Sequence, residues 1–230
     1  MSRKSKLIRF SCALLISALT LASPLSALAQ PKWEKVFEDD GILVESAEVP
    51  GKNLPSFRAT GILQHNLYEL LAVLDDVPRH LEWMVRMSAS DTIEQLSDFD
   101  RVIYNRFDVP WPASDRDSVM QVLAEFNREQ HNVKLRFLRI KHPKRPELEG
   151  VVRIPDLTSE AELTAIGPNK TKVSYLIDID PGGSLPSWLV EWVVERIPYQ
   201  MLKKLQKQIL KTKGTYGDFI AKYGTPIPAQ

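Results

Sequence analysis

The most constraining feature of this chain is a hydrophobic period that changes once and then holds. From Ser88 to Ile179 apolar and polar residues recur with a step of two, and no helical pattern interrupts them. Ser90–Leu96, Val102–Val109, Asp117–Phe126, Asn132–Ile140, Val151–Ile154, Ala161–Ile166 and Lys172–Ile179 all read as strands. Short polar turns such as Asp98-Phe99-Asp100 and Gly167-Pro168-Asn169-Lys170 join them. Strands linked this tightly, with no crossover helix, are expected to pair antiparallel in a meander. The longest irregular connection is Lys141–Glu149, which contains Pro143 and Pro146.

Helical patterns lie only at the flanks. Trp33–Phe37 reads as a short helical turn or ordered lead-in, and Gly41–Val49 and Ser56–Leu63 as a hairpin about Pro50-Gly51-Lys52-Asn53. Asn66 and Glu69 have the spacing of a reciprocal helix cap, with Leu67, Leu70, Leu71 and Leu74 at helical steps behind it. Asp75-Asp76 and Pro78 stop that run, and a short second helix is predicted from Pro78 to about Val85. After Pro181-Gly182-Gly183 comes the longest helical pattern. Leu185, Trp188, Leu189, Trp192, Val193, Ile197, Leu202, Leu205 and Ile209 share one face. Pro198 is expected to kink or break it, since proline cannot donate to the carbonyl of Val194. Gly214 ends the run, before a last short helix around Tyr216–Tyr223. The class is α+β.

The first 29 residues read as an export signal. Arg3, Lys4, Lys6 and Arg9 precede an apolar run from Phe10 to Ala22, Ser23-Pro24 breaks it, and Ala27-Leu28-Ala29 supplies a small-residue cleavage site. An uncleaved membrane anchor is the competing reading. Cleavage after Ala29 predicts an exported, periplasmic protein with a single domain over residues 30–230. Removing those four cations from the 30 basic residues leaves 26 against 29 acidic ones, a net charge of −3. Such a chain has no basic face for nucleic acid. Its one cysteine, Cys12, lies in the signal, so disulfides, thiolate metal sites and a cysteine nucleophile are excluded from the mature chain.

No phosphate-binding glycine loop, zinc-protease helix or serine-nucleophile elbow occurs. The four histidines, His65, His80, His131 and His142, fall at turns or element ends and read as exposed turn residues, with no spacing that gathers a metal. Asp39-Asp40, Asp75-Asp76 and the pair Asp178 and Asp180 read as caps and turns. Lys203, Lys204, Lys207 and Lys211 form a solvated helix face, with contact to an anionic membrane as the sharper reading. No catalytic residue, metal or cofactor is expected.

Between the second and third of the long strands sits Pro110-Trp111-Pro112-Ala113-Ser114-Asp115-Arg116-Asp117, a loop stiffened by two prolines about a tryptophan. With Val102-Ile103-Tyr104 before it, and Gly150-Val151-Val152-Arg153 and Asp180-Pro181-Gly182-Gly183-Ser184-Leu185-Pro186-Ser187-Trp188-Leu189 after it, the chain resembles the START family of lipid-transfer domains. That resemblance implies a helix-grip fold: a curved antiparallel sheet wrapped around the C-terminal helix, with an apolar tunnel between them. It implies one bound sterol, phospholipid, sphingolipid or other apolar molecule, which is shuttled or sensed; a monomer with transient contact to a membrane surface is the expected state. It also implies a tunnel mouth bordered by the loop from Val109 to Asp115 and the C-terminal helix. Pro110, Trp111 and Pro112 are then the gate, and Arg116 and Asp117 structural anchors.

Residue character suits that role. Ser118, Met120, Val122, Ala124 and Phe126 fall on one face of their strand, and with Trp188, Leu189, Trp192 and Val193 are the expected cavity wall. A ~15-carbon chain is held from water by about 12 kcal/mol at ~0.8 per methylene, so a closed apolar cavity removes most of the barrier to its passage. One departure is informative. Several family members carry an arginine facing the ligand's polar end at the position occupied here by Val122. Arg58, Arg86 and Arg106 are the substitutes the sequence offers. An enzyme using the same cavity, or an interaction protein with a vestigial one, are the alternatives.

Overall fold

The computed structural model describes residues 31–52, 54–185 and 187–228, and the side chains of all of these except 187–195. The predicted signal segment lies outside the described residues. Ten strands form one sheet: β1 Glu34–Asp39, β2 Ile42–Ala47, β3 Ser56–Leu63, β4 Met87–Ser97, β5 Asp100–Phe107, β6 Arg116–Asn127, β7 Asn132–Arg139, β8 Val152–Arg153, β9 Asp156–Gly167 and β10 Lys170–Asp180. Their spatial order is β1-β2-β3-β10-β9-β7-β6-β5-β4. The pairing along this path is antiparallel throughout.

Three details depart from the sequence reading. Glu34–Asp39 is an edge strand rather than a helical turn. β8 lies parallel to β6, pairing Arg116 with Val152 and Asp117 with Arg153. Helix α2, Ser187–Lys211, runs through Pro198 without a break. Pro198 costs one backbone bond, but Leu202, Leu205 and Ile209 beyond it are buried in the main core, and that burial holds the helix together.

The first helix, α1 (Leu67–Asp75), begins where predicted. Asn66 Oδ1 accepts from the amide of Tyr68 at 2.8 Å, and Leu67, Leu70 and Leu71 are buried. A 3-10 turn over Val77–Glu82 follows, with Pro78 in its first turn. A last short helix, α3, spans Gly217–Tyr223. The sheet curls: residues from β4, β5, β6, β7, β9 and β10 all face one internal space, closed on its open side by α2. Register shifts in β4 between Met87 and Ala89, Thr92 and Glu94, and Gln95 and Ser97 supply the bending expected of bulges near a sheet edge.

Candidate functional site

The space between sheet and helix is a cavity of about 200 Å³. Its inner wall is mostly hydrocarbon. Ile103 and Met120 come from β5 and β6, Ala161 and Val173 from β9 and β10, and Leu202 and Leu205 from α2. Its mouth lies where lining residues reach solvent, at Arg86 and Asp108. These two are tied together: the amide of Asp108 donates to Arg86 O at 2.8 Å, and Arg86 Nε to Asp108 O at 2.7 Å.

The proline-flanked loop joins two lining residues, Val109 and Arg116. Its ends are drawn together by Asp115, whose carboxylate accepts from the amide of Val109 at 3.2 Å and from Arg106 Nη2 at 2.6 Å. Arg106, with the amide of Val109, holds the Asp115 carboxyl below its usual pKa range against the opposing effect of burial. Pro110 is half-buried and Pro112 exposed, while the side chain between them, Trp111, is 89% exposed.

Inside the mouth the wall is polar. Ser90, Asn105 and Ser118 form one rank across β4, β5 and β6, with Ser90 Oγ donating to Asn105 Oδ1 at 2.8 Å. Beyond Ser90 sits His80, which is 2% exposed and whose pKa burial lowers to about 4. A carbonyl can only accept, so His80 Nε2 carries the proton it gives Leu74 O at 3.1 Å. Its Nδ1 then faces Ser90 Oγ at 3.4 Å. This burial corrects the expectation that His80 is an exposed turn residue: the short 3-10 turn folds its ring inward, edge-on to Trp83 at 5.9 Å.

Arg116 lies at the polar end, 4% exposed. Its Nη1 donates to Ser114 O at 2.5 Å and Nη2 to Gly182 O at 3.0 Å. The carbonyl of Gly182 is presented by a turn only glycine can make. Its φ is 66°, and an added Cβ would lie 2.8 Å from Pro155 Cδ. Asp117 points to the opposite face of β6 and is fully buried. Arg153 meets it with two parallel hydrogen bonds of 2.6 and 3.0 Å.

The predicted wall residues separate into groups. Ser118 and Met120 line the cavity, with Arg116 and Arg86. Val122 and Ala124 instead line a smaller neighbouring pocket of about 20 Å³. Phe126 packs on Phe99 at a tilt, with ring centres 4.4 Å apart. β6 is long and the sheet twists, so its far half passes out of the space that α2 closes. Trp188, Leu189, Trp192 and Val193 lie outside the described side chains. Arg58 and Arg106 are not polar-end groups: Arg58 is taken by Glu45 at 2.7 Å and lies over the Trp33 ring, and Arg106 is taken by Asp115. Much of the wall comes instead from Leu157, Ser159 and Ala161 of β9 and Val173, Tyr175 and Ile177 of β10, whose alternation was the available signal.

A curved antiparallel sheet gripping a C-terminal helix, with an apolar cavity between them, defines the helix-grip class of proteins. The chain belongs to the START domain family, whose model matches residues 15–213. It is 29% identical to the uncharacterized protein PA1579 of Pseudomonas aeruginosa, over 79% of this chain and 88% of that one. It is 27% identical to the phosphatidylcholine transfer protein of Bos taurus, over 82% and 89% respectively. Among solved structures, a STAR-related lipid transfer protein fragment from Xanthomonas axonopodis superposes with a TM-score of 0.69 at 28% identity, covering 77% of this chain and 98% of the fragment. Human STARD10 shares the fold at a TM-score of 0.70 and 21% identity, covering 86% of this chain and 84% of its own.

Proposed function

We propose that this protein is an exported lipid carrier that holds one apolar molecule between sheet and helix and passes it between membrane faces in the periplasm. The observation that carries this reading is the largely apolar cavity of about 200 Å³ with Asn105, Arg116 and Ser118 in its wall. That space exceeds the roughly 150 Å³ of an engineered dry cavity that accepts benzene. It is open rather than filled by the protein's own side chains, which weighs against a vestigial site. The phosphatidylcholine transfer proteins among its relatives support a lipid as the ligand class. The same geometry weighs against catalysis: Nε2 of His80 is committed to Leu74 O, and the neighbouring hydroxyl of Ser90 is turned to Asn105.

The carrier acts as a monomer, with Trp111 as the contact that touches a membrane and the loop over residues 109–115 as the gate. Native mass spectrometry of the protein recovered from its host, with solvent extraction of what it holds, tests this. One lipid per chain is the expected result. A ligand-free protein that takes up nothing from a lipid panel would end the carrier reading. Recovery from the periplasm with Gln30 as first residue is the expected mark of export.

A further inference from the structure

Three donors in the cavity wall have no hydrogen-bond partner among the described residues: Arg116 Nε, Ser118 Oγ and Trp83 Nε1, on residues 4%, 0% and 3% exposed. Buried donors left unmade are uncommon, and each calls for a reason. Arg116 and Ser118 are two positions apart on β6, so they point to the same face just inside the mouth.

The charge is as exposed a debt as the hydrogen bonds. Both acids beside Arg116 are already engaged, Asp115 by Arg106 and Asp117 by Arg153. Among the described residues no carboxylate lies within 4.0 Å of Arg116, whose two engaged nitrogens meet only the neutral carbonyls of Ser114 and Gly182. Burial lowers its pKa, against the pull of Asp115, in keeping with a cation short of a counter-charge. A neutral hydroxyl or carbonyl would satisfy the free donors and leave the charge uncompensated. An acid satisfies both.

We propose that the molecule carried in this cavity has an acidic head, a carboxylate or a phosphate monoester. The head lies just inside the mouth and accepts from Arg116 Nε and Ser118 Oγ. Its chain runs inward along Met120 and Ile103 toward Val173 and Leu205. This rests on the carrier reading and deepens it. Binding needs no further desolvation of the guanidinium, which is already buried and set in position by Ser114 and Gly182, so the ion pair has only the head's own desolvation to offset.

The test compares three ligands with the same chain: oleic acid, oleoyl lysophosphatidic acid and oleyl alcohol. Each is titrated by calorimetry into delipidated protein as the cell produces it. At least one acid should bind about tenfold or more tightly than the alcohol, the advantage expected of a charge-assisted hydrogen bond. The leading acid identifies the head as carboxylate or phosphate. Arg116→Gln should erase the preference, but it also removes loop tethers. Ser118→Ala leaves the fold's hydrogen bonds intact and should still cost the acid several-fold in affinity. Oleyl alcohol binding as tightly as both acids, or Ser118→Ala binding the leading acid like wild type, would overturn the proposal and leave the carrier reading standing. Binding of none of the three, joined to an empty solvent extract, would overturn the carrier reading itself.

Discussion

His80 is a base placed where its charged form cannot be solvated. An imidazole has an ordinary pKa near 6.5. Burial brings that of His80 down to about 4, although Leu74 O and the charge of Asp76 pull the other way. Between these values the unfolded chain binds a proton that the folded chain refuses. The stability that neutral His80 contributes is therefore full above about pH 6.5 and is lost as pH falls toward 4, by on the order of 2–3 kcal/mol. Urea midpoints at about pH 7 and pH 5 should fall further for wild type than for His80→Gln. Equal falls would place the acid sensitivity elsewhere. The sequence pattern does not mark this histidine, because its ring turns inward against Ser90, which reaches it only once β4 is in place. Asp117 is similar: the Arg-Asp motif was legible, but its partner Arg153 reaches it only because β8 docks parallel to β6.

At the scale of elements, what could be read was what repeats. The capped start of α1, the long helix and most strands followed from period and turn chemistry. β1 did not, because its only half-buried positions are two neighbours, Val36 and Phe37, which leaves no alternation to detect. The loop over residues 109–115 was legible from its prolines, and its posture adds the physics. A tryptophan 89% exposed gains nothing in the free protein, whereas at a lipid headgroup layer its ring is at home. Asp115 binds both ends of the loop, so the tip is presented while the base stays fixed. Trp111→Ala should leave the urea midpoint within ~0.5 kcal/mol of wild type, as for an exposed side chain away from special contacts. It should slow lipid transfer between vesicles several-fold. An unchanged transfer rate would reduce the loop to scaffolding.

For the whole molecule, the sheet's curl decides which face of each strand meets the ligand space, and curvature is not written in any one strand. Ser118, Met120 and Val122 alternate identically in sequence, yet the first two face the cavity and the third the neighbouring pocket. β9 and β10 carry equally clear alternation, but their share of the wall emerges only once β10 pairs with β3 on one side and β9 on the other. Ala161 is the position where this arrangement is most open to test. It is buried on β9 and lines the cavity. Ala161→Leu extends hydrocarbon into that space. Without ligand the added methylenes gain burial at ~0.8 kcal/mol each, so the variant should be as stable as wild type or up to about 2 kcal/mol more so. A side chain that fills the chain-binding space displaces the lipid, so the co-purifying molecule should be lost while the fold is kept. A stable variant that still carries a full complement of lipid would place the ligand outside this cavity. An unstable one would mean that the wall around Ala161 is already filled, contrary to the open space between sheet and helix.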